Sequence, residues 1–120
     1  MDLKLRITAA ALVTIAFLAG PAAAADVQNG AALATKNCAK CHGSGGKGDG
    51  PAVSLMNMTP PPTDWTDKAK MSGETAQQLT NIIEGGGAAA NKSKHMPAYK
   101  NKLTDAQVAD IVAYIQSLSK

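Results

Sequence analysis

Cys38-Ala39-Lys40-Cys41-His42 is the stretch of this 120-residue sequence that decides the fold. Two cysteines stand three positions apart, and a histidine directly follows the second. On a helix, side chains three residues apart lie on the same face, so both thiols point to the same side. The imidazole of His42 is carried beside them. The spacing therefore predicts a single attachment point made of two sulfur atoms and a ring nitrogen.

This C-x-x-C-H pattern is the attachment signature of a c-type haem. The two thiols can add to the two vinyl groups on one porphyrin edge, while His42 binds the iron from the proximal side. Two other kinds of site compete. A redox dithiol needs a βαβ context, and the sequence has no β-alternating segment. A zinc site needs a fourth ligand, and His95 is the only other histidine. The sequence predicts one covalent haem c at Cys38, Cys41 and His42.

Iron bound by His42 needs a sixth ligand or an open face. The candidates are Met56, Met58, Met71, Met96 and His95. Methionine most often fills gaps in a core. Met96 is the preferred candidate because it lies in a loop, and Pro97 fixes the backbone beside it. His95 is the competing ligand, and a second histidine is expected to lower the reduction potential relative to methionine.

The composition also calls for a cofactor. The first 25 residues hold 18 of the 54 hydrophobic positions, and from Asp26 onward only 20 apolar residues are larger than alanine and not cysteine. A domain this small with so few core residues usually needs a disulfide, a metal or a cofactor to hold it together. The length leaves room for one domain, and the net charge of +3 is too small for a nucleic-acid binder.

The N-terminus has the pattern of a secretory signal peptide over residues 1–25. Lys4 and Arg6 precede an apolar stretch from Ile7 to Gly20, which is too short for a confident membrane span. The small residues 22–25 then offer a cleavage site before Asp26. The alternative is an uncleaved anchor. We expect residues 26–120 to form one exported domain, periplasmic if the cell is bacterial.

Three helices are predicted in that domain. The first runs from about Val27 to Cys41 with Asp26 as its N-cap. The second begins near Ser72 and ends at the glycines 85–87. The third begins at the capping box of Thr104 and Gln107. Its apolar stripe is Val108, Ile111, Val112, Ile115 and Leu118. The predicted fold is all-α, with about three main helices and long loops wrapped around one covalent haem.

The chain resembles the class I c-type cytochromes, which are small single-haem electron carriers. The matching segments are residues 38–43, the glycine-rich 45–50 with Pro51, residues 83–85, Met96-Pro97 and residues 103–115. The resemblance implies thioethers at Cys38 and Cys41 and axial ligation by His42 and Met96.

The resemblance also implies roles for residues around the haem. The carbonyl of Pro51 would accept a hydrogen bond from the His42 ring. Gly30 would lie where the first helix crosses the last, against Tyr114. Trp65 would either donate its indole N–H to a haem propionate or pack as a half-buried side chain.

The sequence leaves two further features near these residues with more than one interpretation. Tyr99 would contact a propionate or pack in its loop. Seven lysines flank the motif or the Met96 loop, and they either steer an acidic partner or are ordinary solvated side chains. They are Lys36, Lys40, Lys47, Lys92, Lys94, Lys100 and Lys102.

With both axial positions filled, the iron has no place for a substrate, so the predicted function is one-electron transfer rather than catalysis. The expected partners are a redox donor and an acceptor, with no nucleic acid, no membrane span in the mature chain and a monomeric state. Two alternatives remain. One is a haem subunit of a periplasmic dehydrogenase complex, and the other is a haem sensor or peroxidase-like protein with a labile Met96.

Overall fold

The computed structural model describes residue 15 and residues 24–120, so most of the predicted signal peptide over residues 1–25 lies outside the described residues. Within residues 24–120 the chain is helical and has no strand. The helices are α1 (Val27–Asn37), α2 (Ala39–His42), α3 (Pro51–Leu55), α4 (Lys68–Met71), α5 (Ala76–Gly85) and α6 (Asp105–Ser117), with a 3-10 turn at Ala88–Ala90. No helix of this part of the chain is long and apolar enough to cross a membrane. The predicted all-α fold with three main helices is confirmed.

Helices α1 and α6 cross at Gly30. A Cβ atom there would overlap the carbonyl oxygen of Asp110 and lie 3.0 Å from the Cβ of Tyr114. Only glycine lets the two backbones approach this closely. The predicted contact of Gly30 with the last helix at Tyr114 is confirmed. Ala34, one turn further along α1, is also buried, at 4% exposure.

The predicted first helix is wrong at its C-terminal end, because the chain breaks at Cys38 between α1 and α2. In a continuous helix the Cys41 N–H would donate to the carbonyl of Asn37. It donates to the carbonyl of Cys38 instead, at 3.2 Å. The Asn37 carbonyl accepts from the hydroxyl of Tyr99 at 2.9 Å. A side chain 62 positions away therefore replaces the helical hydrogen bond.

The predicted start of the second helix at Ser72 is also wrong. Helix α5 begins after Thr75, which forms a capping box with Gln78: each side chain bonds the other residue's backbone N–H. Ser72 instead follows the end of α4, and its hydroxyl donates to the carbonyl of Ala69 at 3.0 Å. Helix α5 begins at this capping box because the arrangement satisfies two backbone donors at once. The predicted end of this helix at the glycines is confirmed.

Helix α6 follows the prediction closely. Thr104 and Gln107 form the capping box at its start. Four of the five residues of the predicted stripe are buried, and Leu118 is half-buried against them. The core combines this stripe with four residues from the loop before α4, from α4 and from α5. Its members are Trp65, Met71, Leu79, Ile83, Val108, Ile111, Val112 and Ile115.

Candidate functional site

A cavity of about 320 Å³ lies beside this core. Six of the eight core residues also line the cavity, all except Val108 and Val112. The core is therefore one wall of the cavity rather than a closed interior. Most of the remaining lining comes from the C-x-x-C-H segment, the proline-rich loop at 60–62 and the loop before α6.

The three residues of the predicted attachment point lie together on the cavity wall. Cys38 stands at the break between α1 and α2, and Cys41 and His42 lie on the single turn of α2. Both cysteines are half-buried and are not joined to each other. Burial, and secondarily the neighbouring Cys41, raise the pKa of the Cys38 thiol to about 11. Reactive dithiol sites depend on a lowered thiol pKa, so this shift counts against a redox dithiol.

A zinc site finds no support either. Residues 24–120 contain no group of three His, Cys, Asp or Glu side chains placed to hold a metal ion. His95 lines the same cavity as Cys38, Cys41 and Glu74, but these side chains do not come together as such a group. Of the three interpretations of the motif, covalent haem attachment is therefore the one that the surrounding residues fit.

The His42 imidazole is in the form that binds metals. Burial lowers its pKa to about 4, so the ring is neutral at pH 7 and keeps a free lone pair. The Nδ1 atom is buried and has no hydrogen-bond partner in the described part of the chain. One face of the ring stacks on Trp65, with ring centroids 4.3 Å apart and planes 20° from parallel.

The predicted hydrogen bond from the His42 ring to the Pro51 carbonyl is not formed in the structure. Pro51 is exposed, begins α3 and does not line the cavity. The imidazole packs against the indole of Trp65 while Nδ1 remains without an acceptor. Pro51 begins α3, where its fixed φ angle is favourable, and its hydrogen bond with the His42 ring in the haem-bound protein stays a prediction.

Four of the five candidates for the sixth ligand line the cavity, and the fifth, Met56, is exposed. Met58 and Met71 are buried at 8% and 7% exposure, while Met96 and His95 are half-buried. Met58 follows the motif closely in the sequence. The intervening helix α3 brings it back to the cavity, and the sequence carries no periodic signal for so short a helix.

Met96 lies in a loop that is tied to the end of α5. Its carbonyl accepts from the Gly87 N–H at 3.0 Å, and three residues later the Tyr99 N–H donates to the Ile83 carbonyl at 2.9 Å. A Cβ atom on Gly87 would lie only 3.2 Å from the Cβ of Met96. Backbone bonds to Gly87, just after α5, and to Ile83 within α5 therefore hold this part of the loop, where Met96 lines the cavity.

Trp65 and Tyr99 both line the cavity. Trp65 is buried at 7% exposure and belongs to the core. The Tyr99 hydroxyl donates to the backbone of Asn37, so it bridges two segments of the chain. The stacking of Trp65 on His42 was missed from the sequence, because it joins α2 to an irregular loop that meets it only in the folded chain.

These residues fit a haem. The cavity is largely apolar and carries two thiols and a buried neutral imidazole on one wall, and thioether sulfurs elsewhere. The buried Nδ1 atom of His42 has no hydrogen-bond partner in residues 24–120, and six core residues face the cavity. Both features fit a large flat cofactor bonded to the chain.

Comparison with known proteins agrees with this arrangement. A family model described as Cytochrome c matches residues 27–119. The chain is 34% identical over 105 residues to cytochrome c6 of Nostoc sp. (strain PCC 7120 / SAG 25.82 / UTEX 2576), covering 88% of this chain and 81% of that protein. It is also 34% identical over 118 residues to cytochrome c6 of Picosynechococcus sp., covering 96% and 92%.

Two solved structures are similar in fold. The KustC0563 c-type cytochrome superposes with a TM-score of 0.60 at 20% identity, over 76% of this chain and 98% of that one. A chain of the Kuenenia stuttgartiensis reducing HAO-like protein complex Kustc0457/Kustc0458 gives a TM-score of 0.59 at 26% identity, over 78% and 43%. The second match spans less than half of the larger chain.

Proposed function

The chain belongs to the cytochrome c family and carries one covalent haem c, and on that premise we propose that His42 and Met96 are the axial ligands of its iron. The function of the chain is one-electron transfer, and it is not an enzyme. The observation that carries the ligand proposal is that a neutral His42 imidazole and a loop-held Met96 line the same cavity as both cysteines.

The haem, when bound, supplies an iron that gains or loses one electron. The chain's residues hold it and exclude water. Cys38 and Cys41 provide two covalent links from neighbouring turns, and the buried wall of core residues covers the apolar faces. A thioether ligand favours the reduced state relative to a second histidine. With His42 and Met96 as its ligands, the iron would have no position open to a substrate, so an electron would be the only species exchanged there.

His95 is the nearest competitor of Met96 for the distal position. Both are half-buried and both line the cavity. What supports Met96 is the pair of backbone bonds that fix its loop, from Gly87 to its carbonyl and from Tyr99 to Ile83. The backbone N–H of His95 donates only to the nearby Ser93 hydroxyl, at 3.2 Å. A rigidly held ligand costs less conformational entropy on binding.

We further propose export and cleavage between Ala25 and Asp26, which places the mature chain in the periplasm. Asp26 supports this boundary because its carboxylate caps α1 by accepting from the Asn29 N–H at 3.0 Å. Helix α1 and its cap lie within residues 26–120, as do the other helices that the structure describes. It also converts the Asp26 nitrogen into an ammonium group, 2.7 Å from the Asp110 carboxylate. Intact mass of the purified protein tests the boundary: the expected chain is residues 26–120 plus one haem.

The partners are redox proteins, and we propose that their docking faces are acidic. Three of the seven lysines have contacts of their own: Lys92 pairs with Glu74, Lys100 with Glu84, and Lys102 lies over the Tyr99 ring. Lys36, Lys40 and Lys47 are exposed close to the cysteines in sequence. Exposed charges of this kind steer association, and their effect falls as salt screens them. Electron-transfer rates that are independent of ionic strength would contradict an acidic partner.

Carbon monoxide distinguishes an electron carrier from a sensor or peroxidase-like protein. It binds ferrous iron only where an axial position is open or its ligand is labile. We expect the ferrous protein at neutral pH to show no spectral change under carbon monoxide. Met96→Ala, which removes the proposed distal ligand, is the positive control and should bind it. Rapid binding by the unaltered protein would overturn the proposed ligand set.

A further inference from the structure

The loop that carries Met96 folds back onto a single glycine. Gly87 follows closely after the end of α5, and its N–H donates to the Met96 carbonyl at 3.0 Å. Its own carbonyl accepts from the N–H groups of Ala90 at 3.1 Å and Lys92 at 2.7 Å. Both backbone polar groups of Gly87 therefore hold residues 88–96 in a closed turn beside α5.

Gly87 is needed for space and not for an unusual backbone conformation. Its φ and ψ are −65° and −40°, values that residues with a side chain adopt freely. The preceding Gly86 differs, because its φ of +81° lies in the region that favours glycine. A Cβ atom on Gly87 would overlap the carbonyl oxygen of Ser93 and lie 3.2 Å from the Cβ of Met96. A single methyl group at position 87 therefore has to push residues 93–96 away from α5.

Such a displacement acts on the proposed distal ligand. The other attachments of the haem would be Cys38, Cys41 and His42, which lie at α2 and not in this loop. The position of the iron is therefore set by one part of the chain and that of the Met96 sulfur by another. A working metal site holds its ligands to within about 0.5 Å of their productive geometry. Alanine at 87 has no side-chain rotamer through which the overlap could be relieved, so the loop itself must move.

We propose that Gly87 is the positioning residue of the distal ligand: the absence of a side chain there lets residues 93–96 approach α5 closely enough to keep the Met96 thioether on the iron. This inference rests on the proposed ligation by Met96. It also makes Gly87 the residue that separates an electron carrier from a haem protein with an open distal position. With a methyl group at 87, the sulfur is held away from the iron and small ligands gain access.

The test compares Gly87→Ala with Gly85→Ala, the same substitution two residues earlier, in the haem-bound protein. Gly85 is exposed, and a Cβ atom there would lie 3.4 Å from the Cβ of Ala89, an ordinary contact. The unaltered protein and Met96→Ala are measured beside them. Two properties are recorded: the charge-transfer band between methionine sulfur and ferric iron, and carbon monoxide binding by the ferrous protein at neutral pH.

We expect Gly87→Ala to lose the charge-transfer band and to bind carbon monoxide, as Met96→Ala does. Gly85→Ala should keep the band and bind no carbon monoxide. Adding Gly87→Ala to Met96→Ala should leave the rate of carbon monoxide binding as it is in Met96→Ala, because no thioether remains to be displaced.

A Gly87→Ala protein that keeps the band and binds no carbon monoxide would overturn the inference, even if its melting temperature is lower. Circular dichroism and the haem content of the purified variants provide a second criterion. If Met96→Ala accumulates as a helical, haem-bound protein and Gly87→Ala does not, the glycine serves the fold of the loop and not the ligand. That result would also overturn the inference.

The same samples separate this inference from the ligand proposal. A band that is present in the unaltered protein, lost in Met96→Ala and kept in Gly87→Ala would refute only the role of Gly87. A band that is absent from the unaltered protein, or that survives in Met96→Ala, would refute the ligation by Met96, and the role of Gly87 would be refuted with it.

Discussion

Tyr99 joins the two segments that carry the proposed iron ligands. Its hydroxyl donates to the Asn37 carbonyl, next to Cys38, and its backbone N–H donates to Ile83. Burial raises the pKa of the Tyr99 hydroxyl, so the group is a proton donor throughout the neutral range. One side chain thus connects the Met96 loop to the end of α1, at the place where that helix breaks.

Tyr99→Phe is expected to lower the stability of the holoprotein by about 0.5–1.5 kcal/mol, the usual net value of one hydrogen bond. The Asn37 carbonyl loses its partner, and nothing else in the side chain changes. Denaturant unfolding of the oxidised protein measures the effect. Tyr114→Phe is the control, because no hydrogen bond of the Tyr114 hydroxyl is found in residues 24–120. Equal losses in the two variants would contradict the assigned role of Tyr99.

The site was predictable at the residue scale where a short motif fixes the chemistry. Cys38, Cys41 and His42 follow from local spacing alone, since one helical turn places them. The contact of Trp65 with His42 did not follow, because it joins α2 to an irregular loop and sequence periodicity does not determine such a contact. The hydrogen bond from the His42 ring to the Pro51 carbonyl stays a prediction.

At the scale of elements, the crossing of α1 and α6 depends on Gly30. A Cβ atom at this position overlaps the Asp110 carbonyl oxygen, so Gly30→Ala must push the helices apart. We expect a loss of about 1–3 kcal/mol, as for other overpacked interfaces. Gly73→Ala is the matched control, because nothing lies within 4 Å of a Cβ atom there. Denaturant unfolding of both holoproteins gives the comparison, and a harmless Gly30→Ala would contradict the close contact.

Asp110 ties the start of α1 to α6 and makes the crossing sensitive to acid. Its pKa is lowered by the hydrogen bond from the Asn29 side chain and by that from the Asp26 N–H. A carboxyl whose pKa is lower in the folded state adds stability above its unfolded pKa, and this stability is lost as pH falls through the folded value. The affected window is therefore at and below the ordinary carboxyl value of 3.8.

Asp110→Asn should accordingly reduce the melting temperature at pH 7 and leave a smaller difference from the unaltered protein at pH 3. Melting curves across this range provide the measurement. Asp105→Asn removes a carboxylate from the same helix and controls for net charge. A gap between Asp110→Asn and the unaltered protein that stays constant down to pH 3 would exclude an ionised Asp110 as its cause.

The elements were predictable where capping and periodicity agree, as they do at Thr104 and along the stripe of α6. They were missed where a short helix has no period or where a distant group intervenes. Helices α3 and α4 have five and four residues, too few for an apolar pattern to repeat. The end of α1 depends on Tyr99, and the start of α5 on the capping box of Thr75 and Gln78, a signal present in the sequence but passed over for Ser72.

On the scale of the whole molecule, the protein has few large apolar residues and leaves its core open on one side. Six of the eight core residues face the cavity. Without a haem these side chains would meet water or collapse, and the burial that remains is small for the entropy of ordering the chain. The sparse core anticipated from composition is therefore a lining for the cofactor.

The haem-free mature chain, residues 26–120, is expected to be largely unfolded. Circular dichroism should show little helix, and heating should give no cooperative transition, whereas the holoprotein should show both. The two forms are prepared from the same sequence, with and without haem attachment during expression. A cooperative melting transition in the haem-free chain would mean that the helices pack without the cofactor.

The most direct test is the absorption spectrum of the mature protein in both redox states, recorded together with those of Met96→Ala and His95→Ala. It identifies the two iron ligands on which the electron-carrier mechanism depends. The unaltered ferric protein is expected to show the methionine-to-iron charge-transfer band. Met96→Ala should lose the band, and His95→Ala should keep it. A band that survives in Met96→Ala, or that disappears in His95→Ala alone, would contradict the assignment of Met96 as the distal ligand.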